Sequence, residues 1–191
     1  MRINIQLTQK SIQDAIRKLE QQKKVLLEQA IPELLEEGAK WIVENAKQRL
    51  ESADIGKTIK AKINKRWSIR KKSSSSILIV NDYYRAAFVE FGIGIVGESS
   101  PHPNSSKGGY EYNVDSDYKD DERGWTFDVS DESELDIPRD SIIAVAHIDD
   151  NLYIYTKGTQ GVWFLYNAME DFKKGEYQRI WQQIKSKYWG K

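Results

Sequence analysis

The side chains that could do chemistry in this chain of 191 residues are its two histidines and its many carboxylates, since it has no cysteine. Disulfides, thiolate metal sites and thiol catalysis are therefore excluded. His147 stands just before Asp149 and Asp150 in a predicted turn, where a metal ion could bind, but the HxH or HExxH spacing of metal sites is missing. The sequence around His102 differs from that around His147. We interpret His147 as part of a polar turn and keep a metal-dependent hydrolase near it as a third hypothesis.

Carboxylates concentrate between residues 115 and 136, a range that contains ten acidic and only two basic residues. In a solvated acidic loop nothing raises the pKa of a carboxyl group or sets the separation of a catalytic pair. Gly92 and Gly94 follow a predicted helix instead of opening one, and Lys157–Gly161 lacks the spacing of a phosphate-binding loop. We therefore predict a protein that is not an enzyme, with no catalytic, metal-binding or cofactor-binding residue and no cofactor.

Residues 57–72 contain eight cations and no acid, with Trp67 among them. Such a segment could follow a phosphate backbone without sequence specificity, since it contains no motif for reading bases. The favoured alternative is a solvated basic face on one or two strands, which the alternation of Ile59, Ala61 and Ile63 indicates. The candidate DNA or partner contacts are Lys57, Lys60, Lys62, Lys65, Arg66, Arg70, Lys71 and Lys72.

The formal net charge of zero is a cancellation between two halves of the chain. Residues 1–95 contain 18 Lys/Arg and 11 Asp/Glu, whereas residues 96–191 contain 11 and 18. Opposite charge on separate surfaces orients and accelerates the association of subunits. We therefore expect a subunit that binds copies of itself or its neighbours.

The periodicity of apolar residues predicts the elements that must position these side chains. Steps of three and four predict a long helix up to Leu50, with a kink or restart at Pro32. A short helix is predicted over Tyr83–Phe91, ending at the glycine that follows. Two alternating runs, Ile142–His147 and Leu152–Thr156, predict a β-hairpin, and a helix closes the chain.

These elements predict an α+β fold in which a long N-terminal helix and a C-terminal helix pack on a small, mainly antiparallel sheet. We expect residues 1–191 to form a single domain, with a mobile acidic insertion at about residues 95–141. No stretch approaches the roughly 18 apolar residues of a membrane span, and the N-terminus has no apolar signal core. We therefore expect a soluble protein made in a cytoplasm, with no membrane partner.

Two segments of the chain carry a family resemblance. Residues 86–94 read AAFVEFGIG, and residues 156–169 read TKGTQGVWFLYNAM. The first resembles the A-x-Y-V-E-F-G-T-G signature of tailed-bacteriophage head–tail joining or tail-completion proteins, neck proteins akin to phage lambda minor tail protein Z. The second is similar to the closing motif of that family, T-x-G-x-x-x-x-x-F-L-x-x-A-L. The matching positions are Ala87, Phe88, Val89, Glu90, Phe91, Gly92, Gly94, Gly158, Phe164 and Leu165.

The resemblance implies a structural virion assembly protein of a phage or prophage, a minor capsid or neck component that joins head and tail as a ring. Its partners would then be copies of itself and neighbouring neck or tail proteins, and it would move from the host cytoplasm into the virion at the head–tail junction. The alternative is a DNA-contacting protein that uses residues 57–72.

The signature also has a physical interpretation that does not depend on the family. Phe88 and Phe91 can pack on one face of the short helix, and Gly92 permits a left-handed exit. Glu90 stands between two apolar neighbours, so it needs a hydrogen-bond donor if it is buried. We favour a structural role for this acid over a role in ligand binding.

Overall fold

The computed structural model describes residues 9–112, 124–129, 142–148 and 151–190. Within these ranges the protein has the predicted α+β fold, with long helices near both ends and small antiparallel sheets. Residues 113–123 and 130–141 of the insertion predicted at about residues 95–141 lie outside the described residues, as do Asp149, Asp150 and the side chain of His147.

The N-terminal helical region runs without a break for 44 residues. It consists of α1 (Gln9–Val25), one π-helical turn (Leu26–Ala30) and α2 (Ile31–Ser52). Pro32 is the second residue of α2, directly after the π turn, and its missing N–H interrupts the hydrogen bonds of an otherwise continuous helical region. The predicted kink or restart at Pro32 takes the form of a π turn just before it, and the helical region continues through Pro32 without a break.

The structure of the basic segment, residues 57–72, differs from the expected one or two strands. Residues Lys57–Asn64 form a helix, α3, and only the second part of the segment is a strand, β1 (Trp67–Ser73). Three apolar residues at i, i+2 and i+4 fit both a strand and a helix, because i and i+4 share a helical face. In the structure Ala61 is exposed while Ile63 is fully buried, so the helical period applies.

The remaining elements follow in chain order. A two-residue connection links β1 to its partner β2, so the pair is an antiparallel hairpin. Later strands form a pair, β3 with β7, and a three-stranded antiparallel sheet in the order β4, β6, β5, which contains the predicted hairpin. The bounds are β2 (Ser76–Asn81), α4 (Arg85–Phe91), β3 (Gly92–Ile93), α5 (Gly94–Ser99), α6 (Ser105–Gly108), β4 (Trp125–Val129), β5 (Ile142–Ile148), β6 (Asn151–Thr156), β7 (Gly158–Gln160), α7 (Phe164–Asp171), a π turn (Phe172–Glu176) and α8 (Tyr177–Trp189).

The chain divides into two compact units. The first contains the described parts of residues 1–41, 69–79 and 171–191. Its core is centred on Ala30, Ile180 and Ile184, which are almost fully buried under a layer of tryptophan, tyrosine and phenylalanine rings. Glu33 accepts hydrogen bonds from Lys187 Nζ and from the Tyr188 hydroxyl, both at 2.8 Å, and so ties α2 to α8 within this unit.

The second unit contains the described parts of residues 42–68 and 80–170. Leu50, Ile63 and Ile154 are its largest completely buried side chains. Phe164 is also buried, and its ring lies edge-on to that of Trp67, with 6.1 Å between the ring centroids. The segments that resemble the phage family, residues 86–94 and 156–169, both lie in this unit. In the described part of the chain, no helix is both long enough and apolar enough to cross a membrane.

Candidate functional site at the signature helix

Helix α4 carries most of the signature residues and presents two different faces. Ala86 and Glu90 are buried, at 7% and 6% exposure. Tyr84, just before the helix, is 65% exposed and Phe88 is 39% exposed. Of the two phenylalanines expected to pack on one face of this helix, Phe91 is half-buried and Phe88 is exposed.

Glu90 is bound to the beginning of helix α7. Its carboxylate accepts a hydrogen bond from the backbone N–H of Leu165 at 2.9 Å and another from Tyr166 at 2.8 Å. The first amides of a helix have no partner within the helix, and a negative charge there interacts favourably with the helix dipole. The acid in α4 therefore caps α7, which satisfies the requirement for a donor that its apolar neighbours impose.

His102 provides a third donor to the same carboxylate. Its Nε2 lies 3.2 Å from Glu90 Oε1, while its Nδ1 accepts the backbone N–H of Asn104 at 3.0 Å. Because Nδ1 acts as an acceptor, the proton of the neutral ring is on Nε2, which donates to Glu90. We call this arrangement of Glu90, His102 and the amides of Leu165 and Tyr166 the Glu90 clasp.

Aromatic rings enclose the histidine of the Glu90 clasp. Ring centroids lie 4.3 Å from His102 for Phe91, 5.1 Å for Tyr166 and 5.8 Å for Trp163. Only 3% of the His102 side chain and 8% of the Glu90 side chain are exposed. The clasp is therefore shielded from any substrate, and its geometry supports a structural role.

Burial and hydrogen bonding act in opposite directions on the pKa of Glu90. Burial raises the pKa of its carboxyl group, and the N–H donors of Leu165 and Tyr166, followed by His102, lower it by less. Since the pKa in the folded chain is raised above its ordinary value, the stability that Glu90 contributes is complete at pH below that ordinary value. It is lost as the pH rises through the raised pKa.

The closing motif crosses the end of the signature helix at two glycines. Gly92 has a φ of 85° and Gly158 a φ of 105°, a region that side chains other than glycine rarely adopt. Strands β3 and β7 pair there, with Gly92 opposite Gln160. A Cβ atom at Gly92 would lie 2.6 Å from the amide nitrogen of Gly161, so the two backbones could not approach as they do.

Backbone hydrogen bonds then join the closing motif to the last carbonyls of α4. The N–H of Val162 donates to Val89 O at 2.8 Å, and that of Trp163 donates to Glu90 O at 3.2 Å. Trp163 adopts a φ of 56°, which is unusual for a bulky residue. The two segments that carry the family resemblance thus form one structural unit around α4 and the start of α7.

Sequence reasoning singled out Glu90 but missed two residues of this site. Nothing in the spacing of His102 connects it with Glu90, and no turn-forming residue marks the backbone of Trp163. Of the other candidates, Gly94 is buried, Val89, Phe91 and Leu165 are half-buried, and Ala87 is exposed. The structure therefore brings most of the signature positions together but leaves Ala87 and Phe88 at the surface.

The eight candidate basic residues are mostly exposed and lie in both units. Lys57, Lys60, Lys62, Lys65 and Arg66 belong to the second unit, and Arg70, Lys71 and Lys72 belong to the first. Lys60 donates to the backbone oxygen of Glu51 at 2.7 Å, and Arg66 lies 4.0 Å from Asp82. The described residues contain no group of three or more His, Asp or Glu side chains that could hold a metal ion.

Comparison with known proteins gives one match. Residues 12–92 match the model of a family described as "Bacteriophage HK97-gp10, putative tail-component". The matched region starts in α1 and ends at Gly92, the glycine that closes the signature helix. No curated protein and no solved structure matches the chain. The match covers 81 of the 191 residues and shows that this part of the chain is similar to a phage tail component.

Proposed function

We propose that the protein is a structural component of the virion of a tailed phage or prophage, and that it joins head and tail as a ring-forming neck or tail-completion protein. The observation that carries this proposal is the match of residues 12–92 to a phage tail-component family. The closing motif, which lies beyond the matched region, packs against the end of that region at the β3–β7 pair.

The geometry of the Glu90 clasp supports a structural role for this protein. Its titratable groups cap α7 and hold residues 102–104, and they are shielded from solvent. The surfaces that remain for partners are exposed apolar and basic side chains, such as Phe88 and Lys62. The proposed partners are other copies of this chain and neighbouring neck or tail proteins, first in the host cytoplasm and then at the head–tail junction.

The test is deletion of the gene from the phage or prophage that encodes it, followed by electron microscopy of the induced lysate. We expect filled heads and free tails that do not join, and restoration of complete virions when the wild-type gene is supplied from a plasmid. A plasmid with an early stop codon is the matched control. Normal virions from the deletion strain would overturn the proposal.

A second candidate function, non-specific contact with DNA, is favoured by the exposure of the basic segment. Of its eight cations, all except the half-buried Lys60 are exposed. Neutralising phosphates makes affinity fall steeply with salt, with a slope of roughly −0.9 per phosphate contact for B-DNA. Titration of duplex DNA at two salt concentrations tests this function. Tight, salt-sensitive binding that Lys57→Gln/Lys62→Gln/Lys65→Gln weakens would support it, whereas no binding would reject it.

A further inference from the structure

Strand β5 forms one edge of the three-stranded sheet. Among the described residues β5 pairs with β6 alone, so alternate N–H and C=O groups along its outer side have no strand to bind. Residues 143–146 are all exposed, and Ile143 and Val145 are each 53% exposed. An uncovered apolar edge of this kind accepts a further strand from another chain.

The buried face of the sheet ends at β5. Val145 lies opposite Ile154 of β6, and directly opposite residues of neighbouring strands share a face. Ile154 is completely buried, whereas Val145, in the outermost described strand, is about half exposed. An added strand with apolar residues on this face would cover Val145 and extend the core.

The charges around β5 select the strand that it can take. The strand itself contains no Asp, Glu, Lys or Arg. Residues 131–150, which include it, contain seven acids and only one base. A second β5 would bring the same acids with it and be repelled, so the incoming strand needs to be uncharged and to have basic neighbours.

Residues 3–7, which precede the described part of the chain, meet these requirements. Their sequence is INIQL, in which apolar and polar residues alternate, and this pattern predicts a strand with one apolar face. Residues 1–10 contain two bases, Arg2 and Lys10, and no acid. Five residues of strand span roughly 17 Å, so this INIQL segment can pair along most of the seven residues of β5.

The INIQL segment is suited to contact a second copy of the chain. It precedes a continuous helical region of 44 residues, which is about 66 Å long. In extended form the segment stays within roughly 21 Å of Gln9, the first residue of that helix, which is about a third of the helix length. A head-to-tail ring needs such a pair of different surfaces, one on each side of the subunit.

We propose that the INIQL segment of one copy adds as a fourth strand beside β5 of a second copy, with its apolar residues on the face of Val145. The contact is heterologous, so its repetition closes a ring if the rotation between neighbours allows closure. This inference deepens the ring assembly proposed above and rests on it.

Disulfide cross-linking between copies tests the contact, because the chain has no cysteine of its own. Each full-length donor variant is mixed with full-length Val145→Cys and oxidised, and a non-reducing gel shows whether a cross-linked dimer forms. The donor variants place one cysteine on the apolar face of the INIQL segment and are Ile3→Cys, Ile5→Cys and Leu7→Cys. Ala146→Cys is the matched control, since this exposed neighbour of Val145 points to the opposite face of the strand.

We expect Val145→Cys to form a cross-linked dimer with at least one donor variant, and Ala146→Cys to form about tenfold less with the same donor. Cross-linking no greater than that of the control would overturn the inference. A variant with both cysteines in one chain identifies the source of the segment. Cross-linked oligomers are the expected result, whereas a monomer with an internal disulfide would show that the segment binds its own copy and would also overturn the inference.

Light scattering of the full-length chain over a wide range of concentrations provides an independent readout. Val145→Lys adds a charge that repels the basic neighbours of the INIQL segment, and should weaken association at least about tenfold. Leu78→Lys, at an apolar residue of β2 that is 49% exposed, is the control and should associate like wild type. Both positions are about half exposed, so we expect the variants to fold, and circular dichroism checks this.

A wild-type chain that is monomeric at every concentration, or a Val145→Lys chain that associates like wild type, would reject the strand addition. If gene deletion nevertheless blocks head–tail joining, the strand addition alone is rejected and the proposed function stands.

Discussion

The Glu90 carboxylate shows how much a single residue depends on partners distant in sequence. All three of its hydrogen-bond donors come from other parts of the chain, namely His102, Leu165 and Tyr166. A buried carboxylate without such donors would be strongly destabilising, whereas here it joins α4, the segment after α5 and α7. At the residue scale, the stability of the signature region therefore depends on the completeness of this clasp.

Substituting Glu90 should reveal this dependence. Glu90→Gln keeps the shape but turns one acceptor into a donor that faces N–H groups, and should lower the free energy of unfolding by about 1–3 kcal/mol. Glu90→Ala leaves three buried N–H donors unpaired, each at a cost of about 1–3 kcal/mol, and should lower the free energy of unfolding by at least about 3 kcal/mol. Urea unfolding measures both values, with the exposed Glu44→Gln as control. Losses for both Glu90 variants no greater than that of the control would show that the clasp contributes little.

Because of Tyr110, we expect the free energy of unfolding to decrease at alkaline pH. Its hydroxyl donates to Gly92 O at 2.6 Å, and burial together with nearby Tyr112 raises its pKa to about 12. Since the unfolded chain titrates near the ordinary value of 10.0, the stability from Tyr110 is complete below that pH and is lost as the pH rises to about 12.

Absorbance titration of the tyrosines checks this expectation. We expect a late phase near pH 12 that Tyr110→Phe removes and that Tyr188→Phe, at another tyrosine whose pKa is raised, retains. The lost hydrogen bond should also cost about 1 kcal/mol at neutral pH. A late phase that survives in Tyr110→Phe would contradict the assignment.

At the scale of elements, the β3–β7 pair determines how the closing motif meets the signature helix. The register places Gly94 opposite Gly158, directly after the pairs made by Gly92 and Ile93. Gly158 faces the carbonyl of Ile93 so closely that a side chain would displace the strand. The glycines of the two motifs are therefore needed at one and the same crossing.

A methyl group at this crossing should be costly. Gly158→Ala has to adopt a φ near 105° and displace the Ile93 carbonyl, so we expect it to lower the free energy of unfolding by at least about 1–3 kcal/mol. In contrast, a Cβ at Gly175 meets nothing within 4 Å, and Gly175→Ala in the helical C-terminal region should be neutral or stabilising by about 0.5–1 kcal/mol. Chemical unfolding of both variants measures the difference. Equal stabilities would show that the crossing tolerates a side chain.

At the scale of the whole molecule, the net charge of zero conceals charges that are segregated along the chain. Residues 1–95 contain 18 Lys/Arg and 11 Asp/Glu, a net charge of +7, and residues 96–191 contain 11 and 18, a net charge of −7. Oppositely charged surfaces on neighbouring copies would act more on the rate of association than on its strength.

The rate of self-association should therefore depend on ionic strength. Raising salt from low to physiological concentration shortens the Debye length to about 8 Å, so steering between the basic and acidic halves of neighbouring copies should weaken. We expect the association rate, followed by stopped-flow light scattering, to fall severalfold while the dissociation rate changes little. In Lys18→Gln/Lys23→Gln/Lys24→Gln the salt dependence should be smaller. A rate that does not respond to salt would argue against electrostatic steering.

Local patterns in the sequence are sufficient for several features of this protein. Apolar residues at helical spacing determine the long helix through Leu50, and alternation determines the β5–β6 hairpin. The glycine after Phe91 ends α4 because it can adopt a positive φ. Each of these features depends on residues within a few positions of one another, so the sequence alone predicts it.

Only the tertiary structure decides the rest. Residues 59–63 fit two periodicities, and the burial of Ile63 selects the helix. Glu90 could be recognised as a residue that needs donors, but Leu165 lies 75 positions away, and nothing local indicates that the start of α7 supplies them. The exposure of Phe88 is decided in the same way, because a face of a short helix is buried or exposed according to what packs against it. The sequence by itself determined the elements, and the contacts between distant elements determined which side chains form the clasp and which remain at the surface.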